Sequence, residues 1–299
     1  MKRFVCAALF FVISILCAVE KLDWAKAEKV QSGVDHLRIE AKHPRLMKIS
    51  ILRVDLTTPG LDFTATGRDE HWGKEMPDWK GGIIRTKRQR TRDFMKEARN
   101  KGENMIVAVN AAPWSPWTRP FNHKYANPSG TNILNGEVIS ENKSARPAFV
   151  IYNDGTPAIV PQIFVEDYEK IKVAVSGFSI VAKNGVSTFK DKSLAPRTAY
   201  GISSDKRYLY ILGVDGRQPG WSMGMTCQEA GLWLMAAGAS DAINMDGGGS
   251  TTLIYWNEKS KDMVSLCRHN LARYERVVGS NFGIILRKST PDKARTLEK

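Results

Sequence analysis

Cysteine is scarce in this 299-residue chain. Cys6 and Cys17 fall within the first 19 positions, and only Cys227 and Cys267 lie beyond them. Two thiols are too few for a disulfide-built scaffold or a cysteine-built zinc site. They leave open one disulfide or two buried free thiols. Histidine is nearly as sparse, and His36, His43, His71, His123 and His269 show no H-E-x-x-H spacing, so no metalloprotease pattern is present. Internal repeats and low-complexity linkers are missing. So are zinc-finger, RNA-binding and helix-turn-helix patterns, which leaves nucleic acid out as a partner. Neither G-x-x-x-x-G-K-[ST] nor G-x-G-x-x-G occurs, so the nucleotide-binding glycine loops are excluded.

Long apolar runs are also lacking, with one exception. Residues 1–19 read MKRFVCAALFFVISILCAV. A charged start, a short apolar stretch and small residues describe a secretory leader, with cleavage after Ala18 or after Ala27. The run is short for a membrane span, and Leu16 before Cys17 does not suit a lipoprotein site. The sequence thus predicts an exported protein, periplasmic or extracellular (secretory lumen if eukaryotic), with no stable membrane span after leader removal. Oligomeric state cannot be read.

What is abundant is positive charge. Lys and Arg number 44 against 31 Asp and Glu, for a net +13, and either cleavage leaves the chain basic. RTKRQRTR at 85–92 contributes much of the excess. It reads as a solvated helix face with its lead-in, or as a surface for an anionic partner such as an acidic glycan.

Periodicity predicts strands at 46–57, 61–66 and 104–114, and a helix at 91–102 ending on Gly102. Residues 115–130, rich in proline and aromatics, read as a long surface loop. Further strands are predicted at 146–152, 156–160, 171–182, 197–203, 207–214, 241–245, 250–256 and 281–287. A helix at 226–238 has capping-box spacing in Thr226 and Glu229 and a stop at Gly238. Many strands and few helices in irregular order indicate one α+β domain with a large mixed, mainly antiparallel sheet. Strands and helices do not alternate, which disfavours a doubly wound fold. Residues 28–99 supply N-terminal strands and a helix to the same domain, and 288–299 form a charged tail.

Three segments could carry chemistry. PRTAYGI (196–202) places Arg197 at a strand start, where an arginine can clamp an anion bidentately. VDGRQPG (214–220) puts Asp215 and Arg217 at a strand end. NMDGGGSTT (244–252) runs a strand into three glycines beside Asp246. Such glycines allow close backbone approach and can form an anion-binding nest of N–H groups. GWSMG (220–224) also matches the G-x-S-x-G elbow around Ser222, with His269 the only downstream histidine that could act as base. An elbow serine sits directly between strand and helix, and here DGRQP intervenes. A serine hydrolase therefore stays as a rival.

Taken in order, VNAAPW (109–114), PSGTNILNGEVIS (128–140), PRTAYGI, VDGRQPGWSMGMTCQEAGLWL, GASDAINMDGGGSTTL (238–253) and YERVVGSNFGI (274–284) resemble the phosphodiester glycosidase family. NAAPW and YERVVGSN depart locally from the family pattern. The resemblance covers roughly 100–287. It implies hydrolysis of a glycosidic bond whose leaving group is a phosphate, with a sugar-phosphate or anionic glycan as substrate. Under that reading Asp246 is the catalytic carboxylate and Asp215 a second acid/base. Arg197, Arg217, Gly247, Gly248, Gly249, Ser250 and Thr251 hold the phosphate, and Asn110, Asn244 and Arg276 orient sugar or carboxylates. Glu229 matches a family position too, but its cap role explains it. No cofactor is demanded. A hard divalent cation would suit carboxylate and carbonyl ligands, but no loop requires one. A polysaccharide-binding module without turnover is the other alternative.

Overall fold

The structure is a computed structural model that describes residues 20–117, 122–141, 145–269 and 274–287. The part of the predicted leader through Val19 and the predicted charged tail lie outside the described residues. Every strand pairing within them is antiparallel, with no parallel pair to make the sheet mixed.

The largest sheet has eight strands. In spatial order they are Glu28–Gln31, Val34–Ala41, Met47–Asp55, Tyr208–Val214, Arg197–Ile202, Asp241–Asn244, Ser179–Lys183 and Val186–Ser187. Its central strands are buried on both faces, so they read as nearly continuous apolar runs. Period two still separates the faces. Met47, Ile49 and Ile51 pack under helix α2 (Cys227–Ala237), while Leu52 and Val54 point into the main core.

That core is shared with two five-stranded sheets. One contains Met105–Asn110 flanked by Leu253–Asn257 and Asn281–Leu286, and the other contains Ala148–Tyr152 and Ile171–Ser176. Phe149, Tyr200 and Phe282 meet at its centre, their rings 5.4–5.8 Å apart. Phe94 and Met95 of helix α1 (Thr91–Asn100) cover the outer face of the sheet built on Met105–Asn110. The layers therefore run α2, large sheet, smaller sheet, α1.

Both helix ends follow from sequence. In α2 the Thr226 hydroxyl accepts from the Glu229 N–H at 3.1 Å, and the Glu229 carboxylate accepts from the Thr226 N–H at 2.8 Å. Gly238 ends it at φ +117°. Glu229 also pairs with Arg45, so its carboxylate is committed to holding the helix start.

Several expectations need correction. Residues 171–182 form two strands in different sheets, Ile171–Ser176 and Ser179–Lys183, with Gly177 at the break, where a Cβ would stand 2.7 Å from Asn244 O. Within the N-terminal strands expected at 28–99, Glu28–Gln31 forms the edge of the large sheet and Val34–Ala41 lies between it and Met47–Asp55. The basic run is not simply a solvated face. Arg88 is buried with its guanidinium 4.4 Å over Trp114, Arg85 lies 4.5 Å over Trp72, and Arg92 bonds the buried Glu275 at 2.5 Å. A flat, weakly hydrated guanidinium tolerates such burial against an indole. Cys227 and Cys267 are both free and buried.

Candidate active site

The strand Asp241–Asn244 ends beside Arg197–Ile202, and the chain then crosses a cleft of about 460 Å³. Residues 246–250 form its floor. Arg197, Arg217 and Arg276 stand around it with Trp114, Trp117, Phe178 and Asn244. Asp246 is the one carboxylate among the described lining residues.

Its position is set by the backbone. The Asp246 N–H donates to Ala111 O at 3.0 Å, and Asn110 Nδ2 donates to Asp246 O at 2.7 Å. Asn110 is fully buried. Its Oδ1 accepts from the Thr198 hydroxyl at 2.8 Å and from the Thr252 N–H at 3.0 Å. Asn110 therefore does not reach the cleft, and it ties three segments together under Asp246. Sequence proximity to the glycines could not have shown this link across 136 positions.

Burial pushes the Asp246 carboxyl up to about 6. The Ser250 hydroxyl, the charge of Arg276, the Gly247 N–H and the Trp114 side chain pull the other way. The Gly247 contact is a 2.9 Å bond to Oδ1. Ser250, itself buried, also accepts from Arg276 Nη1 at 3.3 Å. Removing a carboxylate from water disfavours its charged form, and nearby donors only partly offset this.

The three glycines do not form the anion nest that the sequence suggested. Of the five amides from Gly247 to Thr251, four donate to protein oxygens: Asp246 Oδ1, Pro196 O, Gly247 O and Gly248 O. The glycines instead permit shape. Gly248 turns at φ +63°, and a Cβ on Gly249 would stand 2.2 Å from Arg276 Nη2. The turn thus lets one arginine approach closely. Thr251 faces away from the cleft, toward Asp215 and His269.

The arginines differ. Arg276 stacks 4.4 Å over Trp117, which meets Trp114 edge-on at 5.4 Å. Arg217 is exposed, has φ +57°, and lies with Nη1 3.2 Å from where a Gly248 Cβ would stand. Arg197 is braced. Nε donates to Met225 O at 3.1 Å, and Nη2 donates to Ser193 O at 2.6 Å and to Asp191 Oδ2 at 3.4 Å. The Nε–Nη2 edge that would grip an anion bidentately is therefore spent, which corrects the clamp assigned to it.

Asp215 does not line this cleft. It borders a separate groove of about 450 Å³ with Trp221 and Arg268. Trp221 Nε1 donates to Oδ2 at 2.7 Å, and the Arg268 N–H donates to Oδ1 at 2.8 Å. Burial raises its pKa against these two bonds. Both oxygens are committed, so the structure separates the second proposed acid/base from the first.

Ser222 is fully buried. Its hydroxyl donates to Asp215 O at 2.6 Å and accepts from the Lys48 N–H at 3.1 Å. It sits in a turn closed by the Gln218–Ser222 pair, not on a strand-to-helix elbow, and nothing exposes it to a substrate. The site residues that sequence missed are the aromatics. Trp117 lies in the loop flagged at 115–130, and Phe178 sits at the break marked by Gly177. Asn244 lines the cleft with its Nδ2 donating to Met245 O at 3.2 Å. Among the described residues no group of three or more His, Cys, Asp or Glu could hold a metal ion.

Comparison with known proteins adds to this geometry. Residues 103–285 match the family described as phosphodiester glycosidase. The catalytic domain of zebrafish N-acetylglucosamine-1-phosphodiester alpha-N-acetylglucosaminidase, auto-inhibited by its pro-peptide, aligns with a TM-score of 0.57 at 19% identity, over 90% of this chain and 87% of that one. A hypothetical protein from Synechocystis aligns at 0.55 and 10% identity, over 88% and 64%. A putative exported protein from Burkholderia pseudomallei aligns at 0.55 and 12%, over 83% and 76%. At these identities the likeness concerns the fold. A search of the curated proteins gives no match.

Proposed function

This chain belongs to the phosphodiester glycosidase family, and we propose that it is an exported hydrolase of glycosyl phosphodiesters with Asp246 as its catalytic carboxylate. The observation that carries this reading is the cleft in which one carboxylate faces arginines. An ordinary glycosidase uses two carboxylates, one of them to protonate a poor leaving group. A phosphate monoester, with a second pKa of about 6, leaves without strong acid help. A single carboxylate then suffices, provided the departing charge is neutralised.

The step balances simply. The bond from the anomeric carbon to the phosphate oxygen breaks, and its electron pair leaves with the phosphate monoester. A water oxygen bonds to the anomeric carbon, and Asp246 takes the proton that this water loses. Its raised pKa makes it a better base than an ordinary aspartate while it remains ionised at neutral pH. Arg276 and Arg217 receive the phosphate charge. The indoles of Trp114 and Trp117 give the sugar an apolar wall.

Export rests on the leader sequence and fits the description of the Burkholderia neighbour as an exported protein. No helix among the described residues is long and apolar enough to cross a membrane. Of the two cleavage points, Ala18 suits the fold. The Leu22 N–H donates to Ala236 O at 2.9 Å and Trp24 Nε1 to Ala237 O at 2.8 Å. Cleavage after Ala27 would remove both ties to α2.

The test is sugar release from methyl phosphodiesters of N-acetylglucosamine, glucose and galactose by wild type and Asp246→Asn. Turnover by wild type alone supports the assignment, and equal turnover refutes the role of Asp246. Saturable glycan binding with no turnover would favour the polysaccharide-binding reading instead.

A further inference from the structure

The basic run RTKRQRTR (85–92) lines no part of the cleft. Its bonds show what it holds instead. The Thr86 hydroxyl donates to Gly279 O at 2.7 Å. Gln89 and Val278 exchange two backbone bonds at 2.9 and 3.0 Å. Arg92 meets the Glu275 carboxylate twice, through its N–H at 2.8 Å and through Nε at 2.5 Å. Arg276 lies between these ties in sequence. Glu275 on one side, and Val278 and Gly279 on the other, are each fastened to the run.

The Glu275 contact has a physical reason. Helix α1 opens at Thr91, and the first N–H groups of a helix have no partner within it. The residue at the cap is Arg90, whose side chain makes no capping bond and carries only donors. Glu275 supplies the missing acceptor from 183 positions away. Its negative charge also suits the positive end of the helix. The Glu275 side chain is only 3% exposed, and a carboxylate so enclosed depends on its partners, because a buried charge left unpaired is costly.

Arg276 follows Glu275 directly, so fixing one fixes the base of the other. The Arg276 guanidinium has little freedom at its far end. Nη1 donates to Ser250 Oγ at 3.3 Å, the group stacks 4.4 Å over Trp117, and a Cβ on Gly249 would stand 2.2 Å from Nη2. A side chain seated this closely leaves its seat when its base moves.

We propose that Arg92 and Glu275 are positioning residues for Arg276, and that the basic run braces the arginine that receives the phosphate. This rests on the reading of the cleft as a glycosyl phosphodiester site. Arg92 acts on the reaction only through Arg276. Without its side chain Glu275 keeps one bond of two, and the guanidinium next in sequence drifts from the departing phosphate. Misplacing a group by about 1 Å can cost about 10²-fold in rate. The Gln89–Val278 pair still holds the other side, so the loss here should be about tenfold.

The experiment is a double-mutant cycle of Arg92→Met and Arg276→Met. It reads kcat/KM on the methyl phosphodiester that wild type hydrolyses fastest, and Tm on the same samples. Arg92→Met should lower kcat/KM about tenfold with Arg276 present, and less than about twofold in the Arg276→Met background. Glu275→Gln keeps an acceptor but loses the charge, and should fall between wild type and Arg92→Met. A merely structural role, or the loss of a distant positive charge, would cost the same factor in both backgrounds. Equal factors, or an Arg92→Met variant within about twofold of wild type, overturn the proposal and leave the glycosidase reading intact. If Arg92→Met does not fold, Arg92→Lys replaces it in the cycle. That variant keeps the charge and loses the fork, with an expected loss of about fivefold. Calorimetric binding of inorganic phosphate at fixed ionic strength reads the same cycle. Arg92→Met should weaken it about fivefold with Arg276 present and no further without it. If wild type hydrolyses none of the diesters, the glycosidase reading fails and phosphate binding decides the proposal. No binding by wild type, or equal losses in both backgrounds, then overturns it.

Discussion

Asp246, half-buried, and Asp215, buried, are both aspartates with raised pKa, each at the end of a strand of the same sheet and on opposite sides of one glycine turn. Their surroundings divide them. Asp246 faces a cleft walled by arginines and indoles, and its backbone is fixed by Asn110 and Ala111. Asp215 has both carboxylate oxygens filled, by Trp221 and by the Arg268 N–H. A shifted pKa therefore does not by itself identify a catalytic group. What separates the two is whether the carboxylate is free to meet a ligand.

The strongest way to break this comparison is a pair of substitutions. Asp246→Asn should lower kcat/KM by at least about 10³-fold. It should also stabilise the fold at neutral pH by ~1–2 kcal/mol, discounted for partial solvation. The sign follows from the raised pKa of about 6. Ionisation of the folded protein costs more than that of the unfolded chain, so the gain from removing the charge is complete above about pH 6, shrinks as pH falls from about 6 to about 4 and is absent below that. Asp215→Asn should do the reverse. An amide cannot accept from both Trp221 and Arg268, so stability falls by ~1–3 kcal/mol, while kcat/KM stays within about tenfold. Thermal melts and steady-state kinetics on the same samples decide it. Loss of activity in both variants without loss of stability in either would erase the distinction.

The arginines allow a second division. Arg276→Met should cost about 10²-fold in kcat/KM. Arg197→Met should cost about tenfold, with part of the loss in Tm, because its Nε–Nη2 edge holds main-chain carbonyls. Equal kinetic losses at unchanged Tm would return Arg197 to the role of clamp. Weaker still is the pH effect. The kcat/KM of wild type should rise roughly tenfold per unit below pH 6 and level off above it, which a buffer series from 4.5 to 8 records. A flat profile would mean that Asp246 does not act as the base. The smallest effect concerns the N-terminus. Mass spectrometry of exported protein should show a chain beginning after Ala18, and a start at Glu28 would show that the Leu22 and Trp24 ties are dispensable.

How much of this was legible varies with the range of the interaction. Each α2 cap is a local signal, the Thr226–Glu229 pair three positions apart and Gly238 at the helix end, so they announce themselves. Most strands were visible because burial on one or both faces imposes an apolar pattern. The strands at 28–31 and 34–41 were harder to read, because exposed positions there are polar or charged and break the apolar pattern. NMDGGGSTT suggested a nest because glycine composition shows that the backbone can bend, but not where its N–H groups point. Trp117 and Phe178 were invisible as site residues because nothing local distinguishes an aromatic that walls a cleft from one in a loop.

The sequence alone determined the family, the antiparallel α+β architecture, the capped helix and the candidate set around Asp246, because each depends on short motifs or on period-two burial. Tertiary structure decided which candidates meet. It moved Asp215 and Ser222 to the far side of the turn, made Asn110 a brace, spent one edge of Arg197 and brought Arg276 against Gly249. Several of these outcomes depend on contacts between distant segments, such as Arg276–Ser250 at 26 positions and Asn110–Asp246 at 136, and such contacts exist only once the sheets have packed and the side chains have competed for the same partners.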